Sequence, residues 1–438
     1  MQLVWSAPQK DAAPVVLTNR GLVFGPGLAA DTFSLRCNEA YGVNTSAQPQ
    51  LFLDDAGRLA LVTYEGVRAS ADRGCTWQDA SGLPDISLGG FTQSPQQPSE
   101  LLITTQSYQV PSQIFASQDY GRSWSQRATN QAATAYQALL SAPDGRTVFA
   151  SGNRFDAAKS KLVPLWAISH DEGKTWEEQE LEATRYPLAV HPANPQLVFA
   201  RQLEAVPTAA ALQQLVRSDD GGKTFTKLLE VPAISAFAST PDGATLWLGS
   251  STDGLYRSDD AGKRFARVQE EQILGVFCLH HRLGRLWLCA RWAPNRGGIW
   301  SSDDDGKSWD LRLGFDQVQQ NVSCPAQQVA VCAQPWRDWE YELLAISPSD
   351  AGVLPEAGTA PDAGTLPEAD AAPQEGVGSD TRAESDRQDT SDAGAPLAMR
   401  DSAHCSSAAQ PTARGAWLVA VLLALSGRLV VSRRRGRA

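Results

Sequence analysis

The chain has 438 residues, a formal net charge of −11, 42% hydrophobic residues, thirteen tryptophans, two methionines and seven cysteines. Neither the acidic balance nor any basic stripe fits a nucleic-acid-binding protein. Residues 1–346 are long enough for a large core and carry no long amphipathic helical pattern.

The first ten residues, Met1 to Lys10, have neither the basic start nor the apolar run of a signal peptide. Residues from Val15 onward already read as strand, so the true start is expected upstream. Gly21 to Phe33 reads as a worn copy of a phrase that then returns six times: Ser70 to Trp77, Ser117 to Trp124, Ser169 to Trp176, Ser218 to Phe225, Ser258 to Phe265 and Ser302 to Trp309. Its pattern is Ser-x-Asp-x-Gly-x-Thr-Trp, and the copies recur about every 40 to 50 residues, the size of one four-stranded propeller blade. An apolar strand precedes each copy and a hairpin partner follows it, as at Leu165–Ile168 and Gly298–Ser301.

Each position in the phrase has a mechanical task. The carboxylates of Asp72, Asp119, Asp171, Asp220, Asp260 and Asp304 are expected to accept backbone N–H bonds within their own turns, and the glycine supplies the positive φ of the reversal. Ser and Thr hydroxyls add local bonds, and the aromatic packs on the blade edge. The fifth copy has Arg264 where Thr is usual, so one local bond is expected to be missing there. Upstream hairpins recur at Ser141–Ala150, His191–Ala200, Ser239–Leu248 and His281–Leu288, completing a four-stranded unit. Asn321 to Ser347 reads as a half blade, to be completed by N-terminal strands near Val15–Phe24 and Phe33–Cys37, which would remove the free sheet edges.

The phrase resembles the Asp box of sialidases, sortilin-type receptors, photosystem assembly factors and secreted glycosidases. The resulting expectation is an all-β chain: a single β-propeller over residues 1–346, of seven four-stranded blades with six as the alternative. By that resemblance the Asp boxes lie on one rim and ligands on the opposite face. The connections there run near Gln106–Gln113, Gly152–Pro164 and Gln202–Gln213, with a shorter one at Trp292–Arg296. Tyr108, Arg154, Phe155, Tyr186, Trp292 and Arg296 form the expected aromatic and cationic ligand platform, for a glycan or protein at the cell envelope.

Six cysteines precede residue 346: Cys37, Cys75, Cys278, Cys289, Cys324 and Cys332. An even number suits an oxidising compartment. Cys278 and Cys289 fall opposite each other if Leu283-Gly284 is a hairpin tip, Cys324 and Cys332 close a short loop, and Cys37 pairs with Cys75 by elimination. No Cys-x-x-Cys occurs and only His280-His281 lies near, so no metal site is expected, and no cofactor. The Gly-Lys-Thr/Ser triplets at Gly173, Gly222 and Gly306 lack the earlier glycine of a P-loop. Ser301 to Gly306 hints at a calcium loop but has Arg312 at the twelfth position.

Residues 347–404 are dominated by Pro, Ala, Gly, Asp, Glu, Ser and Thr and are expected to form a disordered tether. Residues 405–438 then carry Cys405, an apolar stretch at 415–431 expected to be a short helix, and arginines within 433–437. This tail resembles a C-terminal sorting signal of the myxobacterial type. It implies a sorting protease as partner, cleavage and lipidation at Cys405, a membrane contact through the tail, and export to the surface or outer membrane; a plain tail anchor is the alternative.

No catalytic residue is assigned. Sialidases bring an Arg-Ile-Pro motif, absent here, with an arginine triad, and the arginines Arg68, Arg154, Arg185, Arg201 and Arg291 are scattered. A carbohydrate-active hydrolase, needing two convergent carboxylates in the funnel, is the alternative to a binding or scaffolding role. An assembly factor for a membrane complex is a third.

Overall fold

The computed structural model describes residues 1–4, 14–25, 33–42, 49–54, 56–107, 110–129, 134–203, 212–268, 272–292, 296–314, 317–320, 324, 330–333 and 335–336. The expected tether, the C-terminal tail with Cys405, and Tyr108 lie outside them.

Strands form where short apolar runs meet turn residues, and they assemble into seven sheets in chain order. Blade 1 holds β1 (Gln2–Val4), β2 (Val15–Leu17), β3 (Gly21–Phe24) and β4 (Phe33–Cys37). Blade 2 holds β5 (Gln50–Leu53), β6 (Leu59–Val62), β7 (Val67–Ser70) and β8 (Gln78–Asp79). Blade 3 holds β9 (Leu88–Gln93), β10 (Leu101–Thr105), β11 (Gln113–Ser117) and β12 (Ser125–Thr129). Blade 4 holds β13 (Thr134–Ser141), β14 (Val148–Asp156), β15 (Lys161–Ser169) and β16 (Glu177–Glu180). Blade 5 holds β17 (Arg185–His191), β18 (Asn194–Gln202), β19 (Gln213–Ser218) and β20 (Thr226–Val231). Blade 6 holds β21 (Ile234–Ser239), β22 (Leu246–Ser250), β23 (Gly254–Ser258) and β24 (Ala266–Arg267). Blade 7 holds β25 (Ile273–Arg282), β26 (Arg285–Trp292), β27 (Arg296–Ser302) and β28 (Asp310–Gly314). This is the seven-bladed all-β propeller that the repeat spacing implies.

Burial falls off from the inner strands to the outer ones. The second strands β6 and β10 are buried along their whole length, because sheets pack on both of their faces, whereas the outer strands β8 and β24 are exposed. Each seam between neighbouring blades has its own apolar cluster. Phe199, Leu215, Leu246 and Leu248 fill the seam of blades 5 and 6, and Leu102, Ile114, Tyr136 and Val148 that of blades 3 and 4. Trp166 on β15 fills the seam of blades 4 and 5, and Trp247 and Trp287, at matching positions of β22 and β26, fill the seams of blades 6 and 7 and of blades 7 and 1; all three are fully buried.

The ring closes differently from the expected half blade. All four antiparallel strands of blade 1 come from the N-terminal end, and β1 supplies its first strand. Among the described residues the C-terminal side contributes only β29 (Val318–Gln320), which pairs in parallel with β4 at Phe33–Leu35. Leu3, Val16, Val23, Phe33 and Leu35 pack across this last seam on Trp287, Ile299, Leu313 and Val318. A three-residue strand such as Gln-Leu-Val has no readable periodicity of its own, which is why the sequence pattern missed β1.

Three disulfides are present, and two of the three expected pairings are corrected. Cys278–Cys289 joins directly opposed residues of β25 and β26, as expected. The others are Cys37–Cys332 and Cys75–Cys324, in place of Cys37–Cys75 and Cys324–Cys332. Sequence proximity misled here because the ring brings the chain's two ends together.

Candidate functional site

Two rims are available, and the six turn phrases occupy one of them. In the third copy, the Ser169 hydroxyl donates to Asp171 Oδ1 at 2.8 Å. The same oxygen accepts the N–H groups of Lys174 and Thr175 at 3.1 and 2.8 Å, while the Thr175 hydroxyl donates to Oδ2 at 2.7 Å. Gly173 N–H donates to Ser169 Oγ, and Trp176 Nε1–H donates to the Gly173 carbonyl. Burial opposes ionisation of Asp171, but the donors from Thr175, Ser169 and Lys174 together outweigh it and push its pKa down to about 2. Asp220 is held at about 2 in the same way, and Asp72, Asp119, Asp260 and Asp304 are also lowered.

The bond expected to be missing at Arg264 is replaced: its Nε donates to Asp260 Oδ2 at 3.1 Å. Each of the six repeated aspartates is therefore occupied by its own loop. The residue before the glycine also takes positive φ in each copy: Arg73, Tyr120, Glu172, Gly221, Ala261 and Asp305. The turns lock blades to one another as well. Arg127, Arg217 and Arg257 each donate to the carbonyl of that left-handed residue in the next blade, at 2.9, 3.0 and 2.8 Å.

On the opposite rim, Gly152 to Pro164 is a long hairpin, not an open loop. Strands β14 and β15 stay paired out to Asp156 and Lys161. Arg154 on this hairpin lies 3.7 Å from Glu178 and 3.5 Å from Glu180, both on the outer strand β16. Phe155 is half-buried beside it. The Tyr136 hydroxyl donates to Glu178 Oε1 at 2.7 Å from a fully buried position. Burial, then the Glu178 carboxylate, drives that phenol's pKa far up, so it stays neutral.

Tyr186 does not join Arg154 in an open platform. It is only 5% exposed and donates its hydroxyl to Gln137 Oε1 at 3.0 Å across the seam of blades 4 and 5. The guanidinium of Arg201, only 4% exposed, stacks over the Tyr186 ring at 5.5 Å, and its Nη1 donates to the Ile234 carbonyl at 3.0 Å. Burial lowers the Arg201 pKa. Trp292 and Arg296 face each other in the register of β26 and β27, far along the chain from Arg154, and their side chains lie outside the described residues. Sequence reading did not single out Gln137 or Arg201's burial. A signal existed for the second, since aligned repeats place Ser151, Gly249 and Cys289 at the Arg201 position.

The other arginines are engaged separately. Arg68 donates to the Tyr41 carbonyl and pairs with Asp79, Arg185 Nε donates to Gln202 Oε1 at 2.8 Å, and Arg291 is exposed. Asp156 spends its carboxylate on Lys159 and on the Ala158 and Lys159 N–H groups, and Glu182 is exposed. The first strands of the blades pack against one another around the axis. These seven strands, β1, β5, β9, β13, β17, β21 and β25, contain no Asp or Glu; Gln137 and Ser235, in bulges of β13 and β21, are buried polar groups there.

A family model for sortilin, neurotensin receptor 3 (Sortilin-Vps10), matches residues 65–240, which hold four of the six turn phrases. No curated protein matches the chain. Among solved structures, a GH74 xyloglucanase from Xanthomonas campestris is 13% identical, with 61% of this chain and 58% of that one covered and a TM-score of 0.33. The β-propeller domain of the trilobed protease from Pyrococcus furiosus is 14% identical, over 60% and 84% of the two chains, with a TM-score of 0.41. The α-L-arabinofuranosidase Arb93A from Fusarium graminearum is 14% identical, over 58% and 91%, with a TM-score of 0.38. This chain thus spans little more than half the length of the xyloglucanase, and such distant likenesses assign no activity.

Proposed function

We propose that this chain is an exported Asp-box propeller that binds or scaffolds a glycan or protein at the cell envelope, and that it is retained there through its C-terminal sorting tail. The observation that carries the choice of binding over hydrolysis is the make-up of the axial wall. The seven first strands contain no Asp or Glu, whereas glycoside hydrolysis needs two carboxyl groups about 5 to 9.5 Å apart. Arg154 with Glu178 and Glu180 offers paired carboxylates only on an outer strand, already bridged by the guanidinium. The three disulfides are consistent with an extracellular location.

The test is fractionation and intact mass of the full chain from its native cell, beside a Cys405→Ala variant, followed by a glycan-array and hydrolysis screen on the surface form. The expected result is a mature chain ending near Cys405 at the surface, an unprocessed variant, and saturable binding without product release. An unprocessed cytoplasmic protein with reduced cysteines would sink the export reading. Turnover of a polysaccharide would replace binding with hydrolysis.

A further inference from the structure

The two long-range disulfides do different work from the one inside blade 7. After β28 three described points, together called the strap, are tied back to the start of the ring: β29 lies on the outer edge of blade 1, Cys324 is bonded to Cys75 in the turn phrase of blade 2, and Cys332 to Cys37 at the end of β4. Each disulfide spans most of the ring, with separations of 249 and 295 residues. Because β29 adds only three residues in parallel, these bonds are the covalent part of ring closure.

The two strap sulfurs have a chemical environment that the others lack. Arg36 Nε donates to Cys324 Sγ at 3.2 Å, and the Cys37 backbone N–H donates to Cys332 Sγ at 3.2 Å. A hydrogen-bonded cation stabilises a thiolate, which makes Cys324 the better leaving group of its pair. Its partner Cys75 is 8% exposed and lies in a surface turn flanked by exposed Arg73 and Thr76, and Cys324 itself is half-buried. Cys37 is fully buried and Cys332 nearly so. Cys278 and Cys289 sit inside the apolar cluster between blades 7 and 1.

We propose that Cys75–Cys324 is a reducible latch on the ring seam, opened by thiol–disulfide exchange with a dithiol. One thiolate of the reductant attacks Cys75 Sγ and forms a mixed disulfide. The Cys75–Cys324 bond breaks, and its electron pair leaves on Cys324 Sγ as a thiolate held by Arg36. The second thiol of the reductant then attacks the mixed disulfide. Cys75 is released as a thiolate, both cysteines take up protons, and the reductant ends as a disulfide. Opening frees Cys324 from blade 2, while Cys37–Cys332 and the pairing of β29 with β4 keep the strap on blade 1.

The experiment is graded dithiothreitol treatment of the native full chain, with differential alkylation and mass spectrometry to time each disulfide. Arg36→Gln and Arg36→Lys are run beside wild type. The expected order is Cys75–Cys324 first, then Cys37–Cys332, with Cys278–Cys289 last. Arg36→Gln should slow the first step about tenfold by removing the cation that holds the leaving thiolate, and Arg36→Lys should restore most of it. Opening of Cys278–Cys289 first or in step with the latch overturns the proposal. So does a first step equally fast in Arg36→Gln; if that variant fails to fold, the wild-type order of opening decides.

Discussion

At the residue scale, the repeated aspartates are groups whose charge the fold depends on. Each lies below its unfolded value because N–H and O–H donors of its own turn bind the ionised form, with Asp171 and Asp220 at about 2. A carboxylate of about 3.9 when unfolded and lower when folded contributes stability that is fully present above the unfolded value. That stability is lost as pH falls through about 4 toward the folded values. Urea midpoints should therefore be flat from neutrality to about pH 5 and then drop steeply toward pH 2. Asp171→Asn and Asp220→Asn should each lower the midpoint at pH 7 and flatten the acid limb. An unchanged acid limb in both variants would show that these turns do not set the acid response. The fifth turn shows how far a residue pattern can be read: Arg264 breaks the consensus, yet its guanidinium reaches the same oxygen that a threonine hydroxyl would.

At the scale of elements, the turn glycines serve two purposes that a paired substitution separates. Gly262 and Gly284 both have positive φ, at 78° and 74°. A Cβ on Gly262 would land on the Phe199 ring of the neighbouring blade and 2.6 Å from Leu246, whereas a Cβ on Gly284, at a hairpin tip, meets nothing. Gly284→Ala should cost about 1 kcal/mol from the left-handed backbone alone. Gly262→Ala should cost about 2 to 4 kcal/mol, because overpacking of the seam is added to the same backbone term. Equal losses in thermal unfolding would mean that the turn is not a packing element between blades. The strand and hairpin pattern of blades 2 to 7 was legible because it is local: an apolar run, a turn phrase, and a second run. The long hairpin of β14 and β15 was misread as a loop. Its outer half is partly exposed, and there the pattern loses the apolar contrast that marks a strand.

At the scale of the whole molecule, closure decides how stability is distributed. With both strap disulfides intact, removing either one leaves a ring still closed by the other. The remaining loop is about 46 residues, counting 37 to 75 and 324 to 332, and chain entropy assigns it about 4 kcal/mol. Removing both also releases a loop several times longer, for a total of about 10 kcal/mol in the same model. Cys37→Ser/Cys332→Ser should then lower the denaturant midpoint much less than the fourfold serine variant, and the latter should lose cooperativity at the seam of blades 1 and 7. Equal midpoints in the two variants would mean that packing alone closes the ring.

The sequence by itself determined blades 2 to 7, their order and the tasks of the turn Ser, Asp and Gly, because these depend on groups within a few residues of one another. It placed the Cys278–Cys289 bridge for the same reason, as a hairpin's own register. Only the tertiary structure decided which cysteines seal the ring, that Tyr186 is buried under Arg201, that Arg154 is held by Glu178 and Glu180, and that the strands packed around the axis are the seven without Asp or Glu. Each of these follows from closing seven blades on themselves, which brings together residues from different repeats or strands whose distance along the chain says nothing of their distance in space.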